Sequence, residues 1–403
     1  MEVPALLRRV VLYVPDLSAG GAERVALNLL EALPAPDLRV TLLVNRLKGP
    51  LAADLPPGAE VVSLHASRTL AAFWPLARFL RRERPDCLVA FLSFNNILAV
   101  WANLIAGRPT RIVGTVHAPL SFEAKTHPSL HFRLVPLLYR ATLPMAAAVV
   151  AVSRGVGADL CRTISRSIGF TVIHNPVVTP RLLQMAQREV DHPWFAPGQD
   201  PVILGVGRLN DCKNPRLLVE AFARLPAATR VRLALIGDGP LRSELEALIA
   251  QRGLAGRAVL LGSDPNPWRY MARARLLVLS SRYEGFGNVL VEAMATGLPV
   301  VSVDCPYGPA EILAGGKWGR LVPAADADAL SAAILATLGE PANADALRTH
   351  AAQFSTALVA DRYRALITQL LRGAAGASQP SKATGGKAIT PTDPLRRRSN
   401  AAS

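Results

Sequence analysis

The stretch Leu276-Leu277-Val278-Leu279-Ser280-Ser281-Arg282-Tyr283-Glu284-Gly285-Phe286-Gly287-Asn288-Val289-Leu290-Val291-Glu292 reads as a buried strand, a polar turn and the start of a helix. A short, wholly apolar run closed by two serines suits a strand covered on both faces of a parallel sheet. The helix begins near Gly287. Its first backbone N–H groups have no partner within the helix and lie at the positive end of the helix dipole. Gly285 and Gly287 carry no side chain to hold a ligand away, so the junction is a cradle for a diphosphate. Glu292, about one and a half turns into the helix, can accept hydrogen bonds from vicinal hydroxyls such as those of a ribose. Glu284, in the loop, can do the same for a sugar. Spacing alone does not distinguish such a pair from two surface charges, and the decision rests on what surrounds it.

Outward from this junction the same unit repeats. Strand-like runs fall at 10–14, 40–44, 61–64, 87–91, 112–116, 149–152 and 171–173, and the pattern restarts at 202–206, 231–236, 259–261, 276–279, 300–302 and 319–322. Each ends in small or polar residues and most lead into an amphipathic stretch, the signature of doubly wound α/β sheets. The expectation is an α/β chain of two Rossmann-like domains facing across a crevice. The boundaries are 1–175, a polar, Pro-containing connection at 176–200, a second domain at 201–355, a C-terminal helix at 356–372 and a disordered basic tail at 373–403. Ligands of this architecture bind at the carboxyl ends of the strands.

Several residues fall at such ends. Gly20 and Gly21 follow the first strand without the spacing of a dinucleotide fingerprint. His117 closes the strand at 112–116, although a lone histidine is more often structural. Arg208 and Lys213, five residues apart after 202–206, can neutralise a leaving diphosphate, although two such cations can also be simply solvated. Gly237-Asp238-Gly239-Pro240 reads as a turn, and Glu311 reads as a helix cap in preference to the alternative that it faces the donor. No two carboxylates can be assigned to opposite sides of a sugar, which leaves no protein nucleophile for a double displacement.

The strings Tyr283-Glu284-Gly285-Phe286-Gly287, Glu292-Ala293-Met294-Ala295 and Gly297-Leu298-Pro299-Val300-Val301, with Gly20-Gly21-Ala22-Glu23-Arg24, resemble the retaining glycosyltransferases of family 4, which have the GT-B fold. The resemblance implies transfer of a sugar from a nucleotide donor with retention at the anomeric carbon, without a required metal or other cofactor. It implies that Glu292 contacts the ribose, Glu284 the donor sugar, and Arg208 and Lys213 the phosphates. Gly20 and Gly21 would face the donor across the crevice, His117 would lie beside the transferring sugar, and Gly285, Phe286, Gly287, Asn288 and Val289 would line the donor site. The nucleotide would sit near the turn at Gly237, with residues 262–267 close to the base. The segment 304–312 resembles members that use UDP-linked hexoses or N-acetylhexosamines in bacterial surface polysaccharides.

The formal charge of +15 arises mainly at the two ends of the chain. Residues 1–180 hold 19 Lys/Arg against 11 Asp/Glu, and 373–403 hold 5 against 1. No aromatic-rich basic stripe or nucleic-acid motif accompanies the excess, so nucleic acid is not an expected partner. A basic N-terminal half fits an anionic membrane surface and a lipid-linked or glycan acceptor. The residues at 72–84 offer Phe73, Leu76 and Leu80 opposite Arg78, Arg81 and Arg82, and a second basic stretch at 125–140 contains no acid. Core packing of the apolar residues is the alternative. Cys87, Cys161, Cys212 and Cys305 lack metal-ligand spacing and read as ordinary thiols. The apolar stretch 134–152 is interrupted by Arg140 and Pro144, which argues against a membrane span. The expected location is the cytoplasm, with possible attachment to the inner face of the membrane.

Overall fold

A computed structural model describes residues 7–376 apart from 19, 127–129, 165–167 and 227. The first sheet contains β1 (Arg8–Val14), β2 (Leu38–Val44), β3 (Glu60–Ser63), β4 (Cys87–Phe91), β5 (Arg111–Val116), β6 (Ala148–Ala151) and β7 (Thr171–Val172). The second contains β8 (Val202–Val206), β9 (Arg232–Ile236), β10 (Ala258–Gly262), β11 (Leu276–Leu279), β12 (Val300–Val303) and β13 (Arg320–Val322). The orders are β3-β2-β1-β4-β5-β6-β7 and β10-β9-β8-β11-β12-β13. Neighbouring strands are parallel throughout.

Each sheet reverses direction beside its first strand, between β1 and β4 and between β8 and β11. These are the switch points at which helices leave for opposite faces and a crevice opens. Helices cover both faces, so strand residues such as Val10, Leu12, Val89 and Leu277 are fully buried. That is why their sequences are continuous apolar runs.

The C-terminal helix spans Thr356–Gly376 and so runs beyond the boundary expected at 372; the rest of the tail lies outside the described residues. It returns to the N-terminal sheet. Val359, Tyr363 and Ile367 are buried in one core with Val25, Leu29 and Leu33. Arg364 Nη1 donates to the carbonyls of Ala32 and Leu33 at 2.9 and 3.2 Å, satisfying the end of helix Gly21–Ala32. The 176–200 connection contains helix Pro180–Ala186, capped by Thr179, whose Oγ1 accepts from Leu182 N at 2.9 Å. No helix among the described residues is long and apolar enough to cross a membrane.

Candidate active site

A cavity of about 670 Å³ lies between the carboxyl ends of the two sheets. Its N-terminal wall is the turn from β1 into helix Gly21–Ala32, with Gly20 and Gly21, together with Leu92 after β4 and His117 after β5. The facing wall is the loop after β8, with Gly207 and Lys213, and the junction from Glu284 to Val289 with Glu292. Arg208 is exposed and does not line this cavity; it borders a void of about 20 Å³ with Gly207 and Lys213. Asp264 and Pro265, in the loop after β10, close the cavity beside Trp268. Eleven of the twelve residues singled out from the sequence therefore meet in one place, and the twelfth lies next to Lys213.

The two charged groups at the centre are paired. Lys213 Nζ lies 2.6 Å from Glu284 Oε1, and Ser281 Oγ donates to the same oxygen at 2.6 Å. The Lys213 backbone is pinned on both sides: its N–H donates to Asn210 Oδ1 at 3.0 Å, and Ser280 Oγ donates to its carbonyl at 3.0 Å. Burial works against the ammonium, but the charge and hydrogen bond of Glu284 outweigh it and hold the Lys213 pKa above its ordinary value. Lys213 is a fixed cation at neutral pH.

Gly287, at φ +103°, is the left-handed residue that turns the chain into helix Asn288–Thr296. Phe286 is 2% exposed, its ring stacked on His174 at 5.3 Å and edge-on to Phe354 at 5.4 Å. What Phe286 offers a ligand is therefore main chain. Asn288 Oδ1 accepts from Asn175 Nδ2 at 2.8 Å, tying the start of this helix to the end of the N-terminal domain. Burial raises the pKa of Glu292 above the ordinary carboxylate value.

His117 is held by Thr115, with Oγ1 and Nε2 2.9 Å apart. The single hydroxyl proton of Thr115 is committed to the Ala90 carbonyl at 2.7 Å, so His117 carries its proton on Nε2 and keeps Nδ1 as an acceptor. Burial lowers its pKa to about 4, and the ring is neutral at physiological pH.

Sequence reasoning missed the ionic rim. Asp54 accepts from Arg24 at 2.7 Å and from Arg181 at 2.5 Å, joining the N-terminal wall to the connecting helix beside Glu292. Nothing in the local sequence marks Asp54. Glu23 was legible only as part of a motif. Its carboxylate folds back over Gly20 and is 7% exposed, and its pKa is raised to about 6, by burial first and then by the charge of Asp16, against its own backbone hydrogen bond. Glu311 is a cap, but for the other domain: Oε2 accepts from Arg154 N at the start of helix Arg154–Thr163, while Oε1 meets His174 Nε2 at 2.6 Å. Of the two readings of 72–84, core packing is the one the structure bears out for the apolar residues. Leu76 and Leu80 are fully buried under the sheet and Phe73 is half-buried, so these three are core.

Two protein families divide the chain as the sheets do. The Glycosyltransferase Family 4 description matches residues 19–181, and that of Glycosyl transferases group 1 matches residues 187–354. The chain is therefore a glycosyltransferase built of these two domains, and it has the GT-B fold. It is 28% identical over 332 residues to the N-acetylgalactosamine-N,N'-diacetylbacillosaminyl-diphospho-undecaprenol 4-alpha-N-acetylgalactosaminyltransferase of Campylobacter jejuni, covering 78% of this chain and 86% of that protein. It is also 28% identical to the lipopolysaccharide core biosynthesis glycosyltransferase LpsE of Rhizobium meliloti, covering 86% of this chain and 96% of the relative. Among solved structures, HepE of Anabaena in complex with UDP and glucose superposes with a TM-score of 0.71 at 21% identity, over 90% of this chain and all of HepE.

Proposed function

We propose that this glycosyltransferase moves a hexose or N-acetylhexosamine from a UDP-linked donor to a lipid-linked or polysaccharide acceptor in bacterial surface-glycan synthesis. Retention of configuration and independence of metal are part of the proposal. The observation that carries it is the Lys213–Glu284 pair, set at the mouth of the helix N-terminus after Gly287 and opposite Gly20 and Gly21. The UDP and glucose bound by the HepE relative, and the diphospho-undecaprenol in the name of the Campylobacter relative, support the donor and acceptor classes.

On this reading the donor diphosphate takes the Lys213 ammonium and the N–H groups at the helix start, with Arg208 turning in from the same loop as Lys213. Glu284, released from Lys213, accepts hydrogen bonds from the sugar, and Glu292 from the ribose. The bond from the anomeric carbon to the diphosphate oxygen breaks. The acceptor oxygen then bonds to that carbon from the same face and passes its proton to the departing phosphate oxygen. Lys213, Arg208 and the helix N-terminus stabilise the charge that collects on the leaving group, the largest contribution available to such a site. His117, neutral, can only accept or donate a hydrogen bond.

The acceptor class suits the N-terminal surface. Helix Ser93–Ile105 lies between helices Phe73–Glu83 and Val135–Thr142. Arg81 Nη2 donates to Ile105 O at 3.1 Å, and Trp101 Nε1 donates to Thr142 Oγ1 at 3.0 Å. These helices and the turns flanking them expose Leu70, Trp74, Trp101, Ile105, Leu134 and Leu137 together with arginines 78, 81, 82, 84, 108, 133 and 140. An apolar, basic face of this kind suits peripheral contact with an anionic membrane.

The test is incubation of the purified chain with a panel of nucleotide sugars, following slow hydrolysis and the anomeric configuration of the released sugar. UDP-hexose or UDP-N-acetylhexosamine turnover that gives the α-anomer first and persists in EDTA is expected. Turnover of another nucleotide alone, inversion, or loss in EDTA would overturn the corresponding part.

A further inference from the structure

Helix Phe73–Glu83 packs on the core that holds Val11 and Tyr13 of β1, Leu43 of β2 and Leu88 and Ala90 of β4. Between this helix and strands β1, β2 and β3 lies a groove of about 560 Å³, to which helix Ser93–Ile105 contributes no lining residue. Its floor is apolar, made by Val11, Val62, Leu64 and Phe79, which belong to the same core as Leu76 and Leu80. Its walls carry Arg9, Arg39, Arg78 and Arg82 against two acids, Glu60 and Glu83.

Three of the four guanidinium groups have partners: Arg39 is hydrogen-bonded to Glu60, and Arg9, which also donates to the carbonyls of Glu83 and Arg84, shares the Glu83 carboxylate with Arg82. Arg39 meets Glu60 at 2.8 Å, while Glu83 lies 3.8 Å from Arg9 and 3.3 Å from Arg82. These pairs are at least two-fifths exposed, so each contributes little and exchanges readily. Arg78 has no ion-pair partner among the described residues. A groove with an apolar floor and surplus guanidinium groups fits an amphiphile with an anionic head, and guanidinium is the group that grips a phosphate bidentately.

We propose that this groove seats the phosphate headgroup of an anionic phospholipid, with the first acyl carbons lying on Val62, Leu64 and Phe79. The proposal rests on the membrane reading above and deepens it. The groove shares helix Phe73–Glu83 with the exposed Trp74, so a bilayer against the helix layer reaches the groove as well. The arginines at its floor end, Arg9 and Arg39, stand near the starts of β1 and β2, whereas the sugar-transfer cleft is at the carboxyl ends. The groove is therefore a lipid anchor and not an acceptor site.

The experiment is calorimetric titration of the full chain with dihexanoyl phosphatidylglycerol below its critical micelle concentration, beside dihexanoyl phosphatidylcholine and inorganic phosphate. One-to-one binding of the anionic lipid, at least tenfold weaker in Arg78→Glu and in Arg39→Glu, is expected, with donor hydrolysis unchanged in both variants. Equal binding of the neutral lipid, phosphate binding as tight as the lipid, no binding at all, or binding indifferent to both substitutions would each overturn the proposal. Loss of donor hydrolysis in the wild-type chain would instead count against the transferase reading. Binding to anionic vesicles with no headgroup site would leave the membrane reading in place and remove this one.

Discussion

A β-carbon placed on Gly285 would lie 1.8 Å from the carbonyl oxygen of His117. The two domains thus meet backbone to backbone at the floor of the cleft, and Ser153 Oγ fixes the contact by donating to the Gly285 carbonyl at 2.8 Å. Backbone cannot turn aside as a long side chain can. Gly285→Ala must widen the cleft, and a displacement of an ångström at a positioned donor is enough to cost about 100-fold in turnover. The expected result is that loss, with an unfolding midpoint a few degrees lower. Wild-type turnover in this variant would show that the contact does not set the catalytic geometry.

Lys213→Ala removes the cation and leaves the Glu284 carboxylate, 8% exposed, with Ser281 as its remaining close partner. Turnover should fall by ~100-fold or more, the scale of losing one preorganised electrostatic group. Arg208→Ala should fall comparably if its side chain turns in on the donor. It should do so without any loss of stability, because Arg208 has no ion-pair partner among the described residues. Thermal melts with and without UDP separate the two. The Lys213 variant should melt lower in both conditions, and the Arg208 variant should lose only the shift produced by the nucleotide.

Two buried groups near the cleft drive stability in opposite directions with pH. His117 has a folded pKa of about 4 against an ordinary 6.5, so the stability it confers is present above pH 6.5 and is lost as pH falls towards 4. Glu23 has a folded pKa of about 6 against 4.5, so its contribution is present below pH 4.5 and is lost as pH rises through 6. At 1.36 kcal/mol per unit these are upper bounds of roughly 3 and 2 kcal/mol. The wild-type chain should therefore show a shallow profile between pH 4.5 and 6.5. Glu23→Gln should steepen the fall in melting temperature on acidification, and His117→Gln should flatten or reverse it. Parallel profiles for all three proteins would refute the assignment.

The strand positions were legible because parallel strands covered on both faces are mostly apolar, and each expected position holds one, whereas the order of the strands was not. The cradle was legible because close approach demands glycine, as at Gly285 and Gly287. Long-range choices were not. Nothing in the sequence of Thr356–Gly376 says that Tyr363 packs beneath Leu29 and Leu33 of the first domain. A glutamate at position 311 announces a cap without revealing that it serves Arg154, far away in the chain. The helical stripe at Phe73, Leu76 and Leu80 was visible, but periodicity finds an apolar face without saying whether core or membrane covers it. The answer was core for these residues, and the exposed apolar positions proved to be Trp74 and Leu70, which lie off the stripe.

That inversion changes how membrane contact is to be tested. Leu76→Ser would unfold the helix layer and prove nothing, whereas Trp74 and Leu137, each 67% exposed, can be changed without touching the core. Burying a large apolar side chain in a bilayer interface gains roughly 1.5–3 kcal/mol, so Trp74→Ala with Leu137→Ser should weaken binding to phosphatidylglycerol-containing vesicles by tenfold or more. The residual, charge-driven binding should vanish as salt rises past a few tenths molar, where the Debye length drops to several ångströms. Removal of residues 377–403 should leave vesicle binding within a few-fold of wild type. Cosedimentation at two salt concentrations reads all of these. Binding abolished by the truncation, and indifferent to Trp74 and Leu137, would move the membrane contact from the helix layer to the tail.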